Sequence, residues 1–539
     1  MKPIIDALKR LFERSSGFMR SIIRISNSIV ALVLIALVFY LGVRSERTGF
    51  VREVLDPGLK RISRPVLNAF RGRPPEVPQL IIALDPEEQD SLEALQRSAL
   101  EAGWVDNDLL AHFAVTATYN ELEVPAVIGL KEGPASEEAG WTYHLRLLPG
   151  DTVLGMRTFD LEPVRGPEAL HAAILPLFWE QLGLPMPGAA LVELTLSEGF
   201  EGLFMAREGL DGLWCAQQGL GSGPILRFDD GLTIQAELDI ADVPDPRPAL
   251  SPPDWSAAPI LVVDPGRLSM DAVFAKRTAS AVRALEDLRA GRRPASEVFE
   301  VASTAKAMAM ADLIGAHEAL EWGTVRMVLD SLSDKLQLMP TFGHALEPTP
   351  ALLATVGGTA DAAQSTFTDR LLEDPVILKA YVACLDSLCT ENAVVDLWTA
   401  IEAAAGRMER IVMAEFPSAK ADRSTLERNR VLIQRSLYPR EAVIAYVPVD
   451  PTTTHTIAVA NVHSLPVQVL GLVAGQDTIP LQRPVLLPPR EPGRPLRYVR
   501  TEFAMGRGDQ RTLHLLVSIP GLPQPRSAEV RMWSVLDAE

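Results

Sequence analysis

Hydrophobic positions change texture twice along this chain. In the first part short apolar runs alternate with helical spacing. QLIIALD, Gln79 to Asp85, reads as a buried strand, and PEEQDSLEALQRSALEAG then places Leu92, Leu95 and Leu100 at helical spacing. VPAVIGLKEG and WTYHLRLLPGD read as paired strands, rich in β-branched and aromatic residues and broken by Gly and Pro. LVELTL, the turn SEG and the return FEGLFMA make a hairpin. A helix is predicted over 167–184, with Leu170, Ile174, Leu177 and Phe178 apolar and Gly183 and Pro185 as its stop. The middle of the chain is helical: 296–320, with Ser296 as cap and Glu297 and Glu300 in the first turn, then roughly 366–390, 391–414 and 419–437. From about Glu441 the runs VIAYVPV, HTIAVANV, PVQVLGLVAG, RTLHLLVSI and AEVRMWSV, cut by Pro and Gly turns, predict a small β-sandwich. No period repeats, which argues against solenoids and propellers.

One apolar run differs from all of these. Ile25 to Val43 holds no charge across 19 residues and, as a helix, spans about 28 Å, the length of one membrane crossing. FYLGVRSER after it lacks a small-x-small cleavage site, so the expectation is an uncleaved anchor. Flanking charge leaves orientation open, because Lys2, Lys9, Arg10, Arg14, Arg20 and Arg24 precede the run and Arg44, Arg47, Arg52, Lys60, Arg61 and Arg64 follow it.

Composition sharpens the division. Residues 1–73 carry 14 Lys or Arg against 5 acids, a net +9, whereas the whole chain of 539 residues carries −18, leaving −27 on the remainder. The net −18 argues against a general nucleic-acid binder, since phosphate neutralisation needs clustered cations, whereas a basic arm on an acidic body suits anionic lipid, with a nucleic-acid arm as the weaker alternative. Three cysteines, Cys215, Cys384 and Cys389, exclude a disulfide scaffold, and the spacing of the last two does not suit a zinc site. GLGSG at Gly219 to Gly223 precedes a strand instead of opening a helix, so it reads as a loop and not as a phosphate cradle.

VELTLSEGFEGLFMARE followed by GPILRFDD resembles the CotH-like kinase family, named for spore coat protein H, and especially its long membrane-anchored bacterial members. Gly199, Phe200, Gly202, Leu203, Phe204, Glu208, Gly223, Pro224, Ile225 and Phe228 carry the match. So do Leu130, Lys131 and Gly133, Trp141 and Arg146, and GMRTFDL from Gly155 to Leu161. The resemblance covers roughly residues 79–439. It implies a nucleotide held by charged residues on the strands, with acids and an Asn in the helical part holding a divalent metal.

That second requirement is where the sequence departs from the family. Gly323 and Thr324 stand for a His-Asn pair, Arg326 is kept, Met327 and Val328 replace two aromatics, Phe342-Gly343 stands where Tyr-Asp belongs, and Gly212 stands for a lysine. Phosphoryl transfer needs metal ions on hard oxygen ligands, so no metal ligands are assigned. Glu318, beside His317, is the one candidate general base, unless it only solvates a helix end. Lys131, Arg146 and Arg227, with Glu208, are candidates for cofactor binding, or else form a solvated face and an ion pair with Glu208.

The expectation is therefore an α/β (α+β) atypical kinase-like core at 78–439. It follows a basic segment (1–24), a transmembrane helix (25–43) and a stalk (44–77), and precedes a β-sandwich (440–539). The functional expectation is a membrane-anchored, extracytoplasmic, catalytically degenerate protein, without cofactor, whose partners are the membrane and an envelope protein or surface polymer. An active kinase using ATP and Mg, with Asp330 or Asp334 as further acids, and an adhesion protein acting through the sandwich are the alternatives.

Overall fold

The computed structural model describes residues 76–105, 112–135, 140–197, 199–221, 223–231, 255–356, 366–447, 456–490, 493–503 and 513–532. Alternation along the first strands builds a closed barrel. Its strands are β1 (Gln79–Ala83), β3 (Phe113–Tyr119), β4 (Leu122–Leu130), β6 (Tyr143–Leu147), β7 (Thr158–Pro163), β8 (Ala189–Leu196) and β9 (Gly199–Glu208). The order around the barrel is β1-β3-β4-β6-β7-β9-β8. Closure comes from β1, which runs antiparallel to β3 and parallel to β8, with Leu80 beside Leu194. Two short strands, β2 (Trp104–Val105) and β5 (Gly133–Pro134), pair beside it.

Every second residue points inward, so Ile82, Ala117, Ile128, Leu145, Phe159, Leu161 and Ala206 share one core. Helix α1 (Pro86–Ala102) starts with a capping box from Asp85 and Glu88 and lays Leu92 and Ala99 on that core. The outer face of the β8–β9 hairpin is apolar at Leu191, Leu203 and Met205, and it packs on the larger core of the helical part.

That part holds α2 (Ala169–Glu180), α3 (Ala272–Arg289), α4 (Val301–Ile314), α5 (Pro375–Leu388), α6 (Glu391–Glu415) and α7 (Arg423–Leu437). Helix α4 is buried all round from Ala307 to Ile314, and Ala305, Ala307, Ala309 and Ala311 let its neighbours approach closely. The predicted helix over 296–320 is three pieces: Ala295–Val298, α4, and a 3-10 turn at His317–Leu320. Glu300, not Ser296, caps α4, with its carboxylate accepting the amides of Ala302 and Ser303 at 3.1 and 2.6 Å.

Beside these helices lies an antiparallel sheet in the order β11-β10-β12-β13, formed by β10 (Ile225–Phe228), β11 (Ile260–Val262), β12 (Val325–Leu329) and β13 (Leu336–Pro340). A Cβ at Gly223 would stand 1.7 Å from the Leu329 carbonyl oxygen, so only glycine lets β10 enter beside β12.

The last region is β14 (Val443–Val447), β15 (Thr456–Asn461), β16 (Val467–Ala474), β17 (Asp477–Leu487), β18 (Val499–Glu502), β19 (Leu513–Ser518) and β20 (Arg526–Met532). They form one seven-stranded sheet in the order β17-β16-β19-β20-β14-β15-β18. Strand β20 joins its halves, pairing β19 through Arg526 to Glu529 and β14 through Val530 to Met532.

Two expectations are corrected by this architecture. The opening region closes into a seven-stranded barrel within an α+β fold, where the sequence predicted only separate paired strands. The C-terminal strands are joined into one hydrogen-bonded sheet by β20, whose first half pairs β19 and whose second half pairs β14. The membrane-anchored, single-pass and extracytoplasmic reading finds no support either. Among the described residues no helix is long and apolar enough to cross a membrane, and Ile25–Val43 lies outside them.

Candidate functional site

The residues singled out from sequence divide into three places. Lys131 leaves the end of β4 on the outer face of the barrel, where the alternation of β7 turns Asp160 and Glu162 to the same side. Lys131 Nζ lies 2.9 Å from Asp160 and 3.2 Å from Glu162. Asp160 also takes His144 Nδ1 at 2.7 Å, and Glu162 takes Arg207 Nε at 2.7 Å. Each charge therefore has an opposite neighbour. Burial disfavours the charged forms here, but the two carboxylates outweigh it and raise Lys131, while Lys131 and His144 bring Asp160 down to about 2. Arg207, then Lys131, lower Glu162 in the same way. The Arg207 guanidinium also stands 5.4 Å from the centre of the Phe342 ring, which joins the barrel network to the loop after β13.

Glu318 sits in the 3-10 turn that ends α4, and its carboxylate is occupied. Its Oε1 accepts both the backbone N–H and Nδ1 of His344, each at 2.6 Å. Gly343 makes this possible: at φ +130° the chain reverses after Phe342, and a Cβ there would meet Glu318 Cγ and Ala319 Cβ at 3.1 Å. Thr324 turns its hydroxyl to the carbonyls of Glu318 and Glu321 at 2.5 and 3.0 Å. Behind the turn Asp312 is fully buried, accepting His317 Nε2 at 2.7 Å, the Leu353 amide at 3.0 Å and the Tyr381 hydroxyl. Burial and Asp312 raise the Tyr381 phenol well above its ordinary value, so it stays a donor.

Arg227 lies on β10 and acts electrostatically on Arg326 of β12, whose Nη1 donates to the carbonyls of Gly323, Thr324 and Val325 next to the Glu318 turn. The other two candidates take no part in these clusters. Glu208 accepts the Gly188 amide at 2.9 Å and is raised by burial and by Asp211, so it is a backbone tie and not the partner of Lys131. Arg146 is exposed on β6. Asp330 closes the β12–β13 turn, accepting the Leu332 amide at 2.9 Å and the Ser333 hydroxyl at 2.7 Å. Sequence reasoning missed His344, Asp160, Glu162 and Arg207. The i, i+2 spacing of Asp160 and Glu162, at the end of GMRTFDLE, was the available signal.

This donor set does not suit the magnesium nucleotide that the resemblance implies. A hard divalent cation needs several convergent oxygens. Here the Thr324 hydroxyl points to two carbonyls, Phe342 and Gly343 offer no side-chain oxygen, and Glu318 is engaged by His344. Among the described residues no group of three or more His, Cys, Asp or Glu is placed to hold a metal. No protein-family model matches the chain, and no curated protein matches it.

Proposed function

We propose that this chain is a degenerate member of the CotH-like kinase family that works by binding and does not transfer phosphate. The observation that carries the reading is the pair of hydrogen bonds from His344 to Glu318, which ties the one candidate base to the loop after β13. Glu318 Oε1 already accepts two hydrogen bonds from His344, which tie the carboxylate to that loop and leave a general base's role to Oε2 alone. The paired state of Lys131 supports the same reading, since a phosphate would compete with two carboxylates already in contact.

The test is phosphate transfer by the full chain supplied with ATP and Mg or Mn, on itself and on a generic protein acceptor. No transfer above that of Glu318→Gln is expected. Robust transfer that Glu318→Gln abolishes would refute the proposal and favour the active-kinase alternative.

A further inference from the structure

Carried on by one residue, the antiparallel register that sets Ile225 beside Val328 and Leu226 beside Met327 places Arg227 alongside Arg326, and the charge of Arg227 is felt at Arg326. Side chains so placed are about 5 Å apart at Cβ, and like charges there are unfavourable. Both arginines are half-buried. The carboxylate against them is Asp230, whose Oδ1 is 3.8 Å from Arg227, at the long end of an ion pair. Among the described residues two guanidiniums face one carboxylate, which leaves one positive charge over.

Arg326 is also fixed in place. Its Nη1 donates to the carbonyls of Gly323, Thr324 and Val325 at 2.9, 3.1 and 3.3 Å, so its orientation is set before any ligand arrives. Burial, then the charge of Arg227, lower Arg326 to about 10, with Asp230 opposing the change. An anion placed between the two forks would relieve that repulsion, and a guanidinium pair matches the paired oxygens of a phosphate or carboxylate.

We propose that Arg227 and Arg326 form a binding site for an oxyanion, the phosphoryl or carboxylate group of a ligand. The site stands on the two guanidiniums and not on the family resemblance, so it can fail while that reading survives. It needs no metal. Asp230 competes with the ligand for Arg227 and sets the affinity from below.

The test titrates the full chain, at low ionic strength and with chelator present, with inorganic phosphate in one arm and acetate in the other, reading heat or thermal shift. Binding in either arm is expected, and the stronger arm identifies the source of the oxyanion. Arg227→Gln should weaken it about tenfold or more, as for a charged hydrogen bond. Asp230→Asn should tighten it several-fold, which a merely destabilised protein would not do. Arg326→Gln also removes the bonds to three carbonyls, so Arg227→Gln carries the result. Neither anion binding the wild-type chain, Arg227→Gln binding as tightly as wild type, or Asp230→Asn binding no tighter would overturn the proposal.

Discussion

The charges on the barrel face and those on the four-stranded sheet contrast in how far they are satisfied. On the barrel, Lys131, Asp160, Glu162 and Arg207 form a chain in which each charge meets an opposite one within 3.2 Å, and His144 hydrogen-bonds Asp160 at its end. On the sheet, Arg227 and Arg326 share one carboxylate among the described residues, Asp230, 3.8 Å from Arg227. A saturated cluster holds the fold together and has little left for a ligand. An unsaturated one costs stability and gains when an anion arrives. Residue type alone would have ranked Lys131 and Arg227 equally as phosphate clamps, and the neighbours separate them.

The largest expected effect lies in the buried satisfied cluster behind the site. Asp312→Ala leaves His317, Tyr381 and the Leu353 amide without their acceptor in a fully buried place, and should cost about 3–5 kcal/mol by chemical denaturation. A loss below 1 kcal/mol would show that this cluster is not saturated as described.

The barrel network comes next, with a defined pH signature. Asp160 titrates below its ordinary value of 3.8, so its stabilisation is full above that value and is lost as pH falls through about 2. Asp160→Asn should therefore remove about 2 kcal/mol at neutral pH and flatten the acid limb of the stability curve between these values. An unchanged acid limb would mean that Lys131 does not hold Asp160 as the distances indicate.

Glu318→Gln should be milder, about 1 kcal/mol, because the side chain is 39% exposed and solvent screens the bond to His344. Smallest of all is Arg146→Gln. Its side chain is exposed on the outer barrel face, and its effect on stability and on oxyanion binding should fall within about 0.5 kcal/mol of zero. A larger loss of binding would move the anion site from the sheet to the barrel.

Much of the local structure was legible because it rests on local signals. The LVELTL–FEGLFMA hairpin forms as β8 and β9, and the helical spacing after Asp374 gives α5, α6 and α7. Closure of the barrel was not legible, because the parallel pairing of β1 with β8 joins residues more than a hundred positions apart, and alternation reads the same in an open sheet. The same limit hid the role of β20, whose two halves pair different strands. At the site, Glu318 was found by its place at a helix end, but its partner His344 was not. That contact depends on the reversal at Gly343, where a left-handed φ cannot be read from the letter G alone. Arg326 was noticed as a retained residue, and only the strand register revealed Arg227 beside it.

The central claim is that Glu318 holds the loop after β13 and does not accept a substrate proton. The most direct measurement compares wild-type and Glu318→Gln proteins for ATP-dependent phosphate transfer and for melting temperature in the same preparation. The account predicts no transfer from either protein and a lower melting temperature for the variant. Transfer by the wild-type chain that vanishes in Glu318→Gln at an unchanged melting temperature would contradict it.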